Sequence, residues 1–146
     1  DTHFDDWEDD QAARQSDGFQ IIADILSSLD QAEFPYLPGD SWLDHTTVVA
    51  FSEFSRTPLI NTRGGRDHHP VGSIMMWGAG VPGGTVIGSS SDQGMLPEKL
   101  NLQTGRPDPG GDPLRPEDVL GTLMSNAGLD GTILGRDVRH VGALGV

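Results

Sequence analysis

Apolar residues recur at helical spacing in one segment near the start of the chain. Five of them recur at helical spacing: Phe19, Ile22, Ile25, Leu26 and Leu29. This spacing places them on one face of an α-helix. Ser16 or Asp17 stands where a helix cap belongs, and Pro35 cannot continue a helix. The pattern therefore predicts an amphipathic helix over residues 17–30.

Two apolar runs further along the chain predict strands. Residues 46–51, TTVVAF, form a short β-branched run, which is typical of a strand buried on both faces. The run GSIMMWGAG predicts the next strand over residues 72–77. Because a helix followed by such a strand is half of a βαβ unit, we expect an α/β fold with a mostly parallel sheet. The two strands should be neighbours or near neighbours, with helix 17–30 on one face.

Turn residues dominate most of the remaining sequence. The segment VPGGTVIG predicts a tight turn in which Gly83 or Gly84 takes a positive φ. Residues 89–115 are rich in Gly, Pro and Asp, and predict a long surface loop. Residues 115–129 predict a second helix, with Pro116 in its first turn.

Length and composition exclude several classes of function. The 146 residues suffice for one domain, which we expect to span residues 1–146. The net charge of −13 argues against binding nucleic acid or an anionic membrane through bulk electrostatics, and no apolar run is long enough to span a bilayer. Any anionic ligand must therefore be attracted locally, by a metal or by clustered arginines. The absence of cysteine excludes disulfides and thiolate metal sites.

The loop NTRGGRDHHP concentrates arginine and histidine, two residue types that are scarce in the rest of the chain. It holds two of the nine basic residues and two of the five histidines, on residues 61–70. One interpretation is a structural turn joined by ion pairs, such as Asp67 with Arg66. The other is a metal site with an anion binder beside it. The pair Asp44-His45 we interpret as turn chemistry.

The position of the polar residues favours the second interpretation. In open α/β sheets, ligands bind at the carboxyl ends of strands, and Glu53 and Arg56 follow the predicted strand 46–51. The chain opens on a polar D-x-H, so we expect a preceding strand to bring that pair to a similar edge. Mixed carboxylate and imidazole ligands suit zinc, manganese or iron. The candidate ligands are Asp1, His3, Glu53, Asp67, His68 and His69.

Several motifs in order carry a family resemblance. The segments DTH, VVAFSEFSRTP, GGRDHHP and GAGVPGGTVIG resemble a largely uncharacterised bacterial family of the sulfatase-like or alkaline-phosphatase-like superfamily. Its usual motifs are E-F-G-R-T-P and G-R-D-H-x-P, so Ser55 replaces a glycine here. The resemblance covers the whole chain but only the C-terminal part of such a protein. It implies the C-terminal part of an alkaline-phosphatase-like three-layer sandwich with a mostly parallel sheet, and a periplasmic or exported location.

The resemblance also implies roles for particular residues. The D-x-H pair and the later D-H pair match metal ligands, and Glu53 matches an acidic ligand after a strand. Arg56 matches an arginine that holds the ester oxyanion, which makes it the candidate catalytic residue. The implied cofactor is a divalent metal, with zinc or manganese preferred. The matched metal ligands are Asp1, His3, Glu53, Asp67 and His68.

Two function classes follow from these observations. The first is a metal-dependent hydrolase of small-molecule phosphate or sulfate esters, whose nucleophile lies outside this chain. The second is a non-catalytic metal- or anion-binding domain. Neither class binds nucleic acid or membrane. We expect the 146 residues alone to lack hydrolase activity, and to self-associate or to retain a missing N-terminal part.

Overall fold

Two α-helices and six short strands make up the regular structure of residues 11–130, 135 and 137–145, which are the residues that this computed structural model describes. The chain divides into two compact units, Asp1–Ala79 and Gly80–Val146, and each is described by itself. The expectation of one domain over residues 1–146 stays a prediction. None of the helices in the described ranges is long and apolar enough to cross a membrane.

Unit 1 contains the first helix and four strands. Helix α1 spans Ala12–Gln31, which confirms the predicted helix. It begins ahead of Ser16 and Asp17, so neither residue caps it. The strands of unit 1 are β1 (Thr47–Phe51), β2 (Ser55–Arg56), β3 (His68–His69) and β4 (Ile74–Gly78).

Strands β1 and β4 pair with each other, which confirms the predicted neighbours. Their direction is antiparallel, with Val49 opposite Met76, so the parallel arrangement is wrong. The physical reason lies in residues 52–73. A parallel pair needs a crossover connection, usually a helix. Residues 52–73 instead contain β2 and β3, which pair antiparallel, and the chain returns in the opposite direction.

Burial in unit 1 also differs from the prediction. No residue of β1 is buried, and Phe51 is 72% exposed. Helix α1 packs against the turn Trp42–His45 and buries none of its residues. The three sheets of the described residues are each two-stranded and antiparallel. Helices and strands are mixed along the chain as predicted, but a mostly parallel sheet in a three-layer sandwich is not what the described residues form.

The turn Trp42–His45 bears out the interpretation of Asp44-His45 as turn chemistry. The Asp44 carboxylate accepts hydrogen bonds from the backbone N–H of Ser41 at 2.7 Å and from its hydroxyl at 2.9 Å. These bonds cap a single 3-10 turn and lower the pKa of Asp44. The His45 ring stacks on Phe34, with 3.9 Å between the ring centroids. His45 is thus held by an aromatic neighbour and by Asp40.

Unit 2 holds the buried core of the described residues. It contains β5 (Lys99–Leu100), β6 (Asp112–Pro113) and helix α2 (Pro116–Asn126), so the predicted second helix is confirmed. Gly84 takes the predicted positive φ of 67°. The segment predicted as a long loop contains β5 and β6, whose two-residue length leaves no periodicity to detect. The buried apolar side chains are Leu100, Val119, Val141 and Leu144.

Candidate functional site

The two arginine-containing motifs of unit 1 form one hairpin. Strands β2 and β3 pair antiparallel, with Arg56 opposite His68 and Ser55 opposite His69. The Thr57 N–H donates to the Asp67 carbonyl at 2.9 Å, which extends the pairing by one position. The segments SEFSRTP and RGGRDHHP are therefore adjacent strands of a single structure. We call residues 52–71 the arginine hairpin.

Asn61 organises the loop of the arginine hairpin. Its side-chain oxygen accepts from the N–H of Arg63 at 2.9 Å and of Gly65 at 3.1 Å. Its side-chain nitrogen donates to Oδ1 of Asp67 at 2.9 Å. Asparagine favours such turns because its short amide reaches the nearby backbone. The loop is thus a structured turn in which the Asn61 amide makes three of the hydrogen bonds.

The arginine side chains also bond to the loop backbone. Nη1 of Arg66 donates to the carbonyls of Thr57, at 3.1 Å, and Pro58. Nη1 of Arg56 donates to the Arg66 carbonyl at 3.1 Å. These bonds link β2 to β3 from both sides. They orient the Arg56 guanidinium plane, because one of its five N–H donors is committed to a fixed carbonyl.

One face of the arginine hairpin combines cationic and aromatic groups. Side chains alternate between faces along a strand, so Phe54 and Arg56 share a face with His68 across the pair. The rings of Phe54 and His68 stack with 3.7 Å between centroids and 20° between planes. The Arg56 guanidinium carbon lies 5.0 Å from the Phe54 centroid, within cation–π range. Phe54 therefore positions both Arg56 and His68.

The predicted metal ligands fall in different surroundings. His68 stacks on Phe54, whereas the adjacent Asp67 carboxylate bonds to Asn61. The two adjacent side chains thus have different partners. The Glu53 carboxylate accepts from the Ser52 hydroxyl at 3.3 Å, and Nδ1 of His69 accepts from the Val71 N–H at 3.2 Å.

No metal-binding group of three or more His, Asp or Glu side chains occurs within residues 11–130, 135 and 137–145. The described members of the predicted set, Glu53, Asp67 and His68, thus do not make up a donor set by themselves. Asp1 and His3 lie outside the described residues. The zinc or manganese site stays a prediction.

A second charged cluster, in unit 2, was missed by the sequence analysis. The Asp118 carboxylate is fully buried and accepts hydrogen bonds from Arg115 and Arg139, with the shortest contacts at 2.8 and 2.5 Å. Burial by itself raises the pKa of Asp118, but the hydrogen bonds from both arginines outweigh it and hold the pKa well below its usual range. We call Arg115, Asp118 and Arg139 the buried aspartate cluster. The only local signal was Asp118 three residues after Arg115, at the start of a helix.

The buried aspartate cluster has a structural role. Asp118 accepts from the Arg115 N–H and so caps helix α2. Arg139 also donates to the Pro113 carbonyl at 2.7 Å, and Arg115 to the Asp137 carbonyl at 2.9 Å. The cluster therefore joins β6, the start of α2 and residues 137–141. Every one of these polar groups has a protein partner, which is typical of a satisfied core network.

Comparison with known proteins identifies the family. Residues 25–134 match the profile of the family described as "Protein of unknown function (DUF1501)". The chain belongs to this family. The match is to this uncharacterised family and not to a sulfatase-like or alkaline-phosphatase-like one, so the assignment to that superfamily is corrected. No curated protein and no solved structure matches the chain.

Proposed function

We propose that the arginine hairpin of this DUF1501 chain binds the oxyanion of a small-molecule phosphate or sulfate ester. The observation that carries this proposal is the placement of Arg56 directly opposite His68 on the face that Phe54 supports. Arg56 is the residue that holds the oxyanion, and His68 lies beside it as a second potential donor. This is the non-catalytic anion-binding alternative of the sequence analysis.

The chemistry of arginine supports an oxyanion as the ligand. A guanidinium presents N–H donors in a planar fork that matches two oxygens of a phosphate or sulfate group. The bond from Arg56 to the Arg66 carbonyl and the contact with Phe54 limit the rotamers of Arg56 before a ligand arrives. Binding therefore loses less side-chain entropy than it would at a mobile surface arginine.

Local charge supports the same ligand class. The whole chain carries a net charge of −13, yet the arginine hairpin holds three arginines against the two carboxylates of Glu53 and Asp67. A small anion approaching from solvent is repelled by most of the chain and attracted here. Screening by salt weakens such an attraction, so the affinity should fall as ionic strength rises.

Metal-dependent hydrolysis of the same esters is the second candidate. It is favoured by the carboxylates of Glu53 and Asp67, which lie on the same hairpin as Arg56. A zinc or manganese ion would need further ligands, for which Asp1 and His3 are the sequence candidates. In that case Arg56 would hold the ester group for an attack whose nucleophile this chain does not identify.

The test is titration of the full chain with inorganic phosphate, sulfate and phenyl phosphate by calorimetry. Arg56→Ala should weaken binding roughly 10- to 100-fold, because a charge-assisted hydrogen bond is lost. Arg56→Lys should recover only part of the affinity, since it keeps the charge but loses the planar fork. Arg106→Ala is the matched control, because Arg106 is an exposed arginine of unit 2. Equal binding by Arg56→Ala and the unaltered chain would refute the proposal.

Addition of zinc or manganese separates the two candidates. Because the 146 residues are expected to lack turnover in either case, the measurement is the affinity for phenyl phosphate with and without the metal. Anion binding alone predicts that neither metal changes this affinity, whereas a metal-dependent gain that is lost in Glu53→Gln and Asp67→Asn would favour the hydrolase. The amide oxygen of Asn at position 67 can still accept from Asn61, so the Asp67→Asn variant keeps the loop.

A further inference from the structure

The Phe54–His68 pair of the arginine hairpin presents an aromatic surface to solvent. Phe54 is half-buried and covers one face of the His68 ring, with 3.7 Å between the centroids and 20° between the planes. His68 itself is exposed. The ring beneath it limits the rotamers of His68, so the exposed ring is held in a defined orientation. A held π surface of this kind can take a further ring in an offset stack.

This aromatic surface lies within reach of a ligand that Arg56 holds. His68 is directly opposite Arg56 in the β2–β3 register, and opposite residues of an antiparallel pair have Cβ atoms about 4.5–5.5 Å apart. The Arg56 guanidinium carbon also lies 5.0 Å from the centroid of the Phe54 ring. In an aryl ester a single oxygen atom separates the ring from the phosphorus or sulfur. An ester whose oxyanion is bound by Arg56 can therefore lay such a ring on His68.

We propose that the Phe54–His68 stack selects esters whose organic group is an aromatic ring. This selection rests on the oxyanion binding proposed for Arg56, because the oxyanion is what brings the ester to the stack. An aliphatic group of similar size gains contact area only, whereas an aromatic ring also gains the attraction between two π systems. His68 is thus the residue that determines specificity, and Phe54 positions it.

A second histidine–phenylalanine stack in unit 1 provides an internal control. His45 stacks on Phe34 with 3.9 Å between the centroids and 22° between the planes, which is close to the geometry of the pair in the arginine hairpin. The charged neighbour of this stack is the Asp40 carboxylate, which lies 2.9 Å from Nε2 of His45. A carboxylate repels an anionic ester, whereas a guanidinium attracts it. The stack at His45 should therefore not respond to the same ligand.

The experiment compares phenyl phosphate, cyclohexyl phosphate and inorganic phosphate by calorimetry on the full chain. The two esters carry the same charged group and organic groups of similar size, so the ratio of their affinities isolates stacking. Phenyl phosphate should bind roughly 2- to 10-fold more tightly than cyclohexyl phosphate. His68→Leu should reduce this ratio to about one, and His68→Phe should retain it. Both variants lose the imidazole, so the loss of a hydrogen-bond donor does not produce this difference between them.

Proton NMR tests the stacking without a substitution. A phenyl ring that lies over His68 should shift the carbon-bound ring protons of His68 upfield through its ring current. Cyclohexyl phosphate should not, because it carries no aromatic ring. The ring protons of His45 should stay unchanged with either ester, because Asp40 repels both.

The outcomes separate aryl selection from oxyanion binding. Equal affinities for the two esters, together with binding of inorganic phosphate that Arg56→Ala weakens, overturn the selection and leave the oxyanion binding standing. A chain that does not bind inorganic phosphate overturns both. A phenyl preference that survives His68→Leu overturns the selection, as does an upfield shift at His45 equal to that at His68.

Discussion

Replacement of Asp118 by Asn should strongly destabilise unit 2. The carboxylate is fully buried and accepts six hydrogen bonds, three from Arg115 and three from Arg139. Asparagine has nearly the same shape, so packing is preserved while the charge is lost. One of its two polar ends becomes an NH₂ group, which faces guanidinium donors and can accept nothing.

The expected cost follows from the burial of the group. Breaking a buried ion pair by removing one partner costs about 3–5 kcal/mol, because the remaining charge is left without compensation. The side chain of Arg139 is 26% exposed, so it lies largely out of water beside Asp118. Because a domain is stable by only about 5–15 kcal/mol in total, the change removes a large share of the stability.

Amide exchange at Val141 gives a direct assay for unit 2. Its N–H donates to the Thr122 hydroxyl at 2.9 Å in the buried core. A loss of about 3–5 kcal/mol speeds its exchange by roughly two to three orders of magnitude or more. Of the described residues, Trp42 and Trp77 are the tryptophans and both lie in unit 1, so their fluorescence serves as an internal reference.

Asp112→Asn is the matched control for this prediction. Asp112 pairs with the same Arg139 at 3.0 Å, but its side chain is 63% exposed. An exposed pair contributes about 0.2–1 kcal/mol, so Val141 exchange should change less than tenfold. If Asp118→Asn changed it no more than Asp112→Asn does, the stabilising role assigned to the buried aspartate cluster would be wrong.

Two further predictions concern acid stability and backbone geometry. The pKa of Asp118 is lowered on folding, so its contribution is present above the unfolded value near 3.9 and is lost as pH falls through the lower folded value. Urea titrations give the difference in unfolding free energy between the unaltered chain and Asp118→Asn. This difference should stay constant from about pH 7 to 5 and shrink only below about pH 4. A loss that begins near neutral pH would contradict the lowered pKa of Asp118. Gly78→Ala should destabilise unit 1 by at least about 1–3 kcal/mol, since Gly78 has a φ of 94° and a Cβ there would overlap the Thr46 carbonyl. Gly18→Ala, in the open middle of α1, should instead stabilise it by about 0.5–1 kcal/mol, and equal thermal midpoints for the two variants would refute the distinction.

Local patterns in the sequence determined most of the regular elements. Helical periodicity from Phe19 to Leu29 predicted α1, and β-branched and apolar runs predicted β1 and β4. Pro116 predicted the start of α2. These signals succeeded because spacing and backbone preference act over a few neighbouring residues. Strands β5 and β6 were not predicted, because a strand of two residues is too short to show the alternation of apolar and polar positions.

Strand direction and side-chain convergence were decided by the tertiary structure alone. Residues 52–73 contain a hairpin where a crossover was expected, and this reverses β4 relative to β1. The same hairpin brings Arg56 opposite His68, and it gives His68 and Asp67 different partners, Phe54 and Asn61. Adjacent letters in a sequence do not reveal which face each side chain takes, because that depends on how the strand pairs.

The buried aspartate cluster shows the same division between sequence and structure. The local part of the cluster is visible in the sequence, where Asp118 stands three residues after Arg115 and caps helix α2. The pairing with Arg139 joins positions 21 residues apart, and it forms only when residues 137–141 pack beside α2. The sequence thus determined which charges were available and which helix would carry Asp118. Only folding decided which charges became buried partners, because burial and long-range contact are properties of the packed chain.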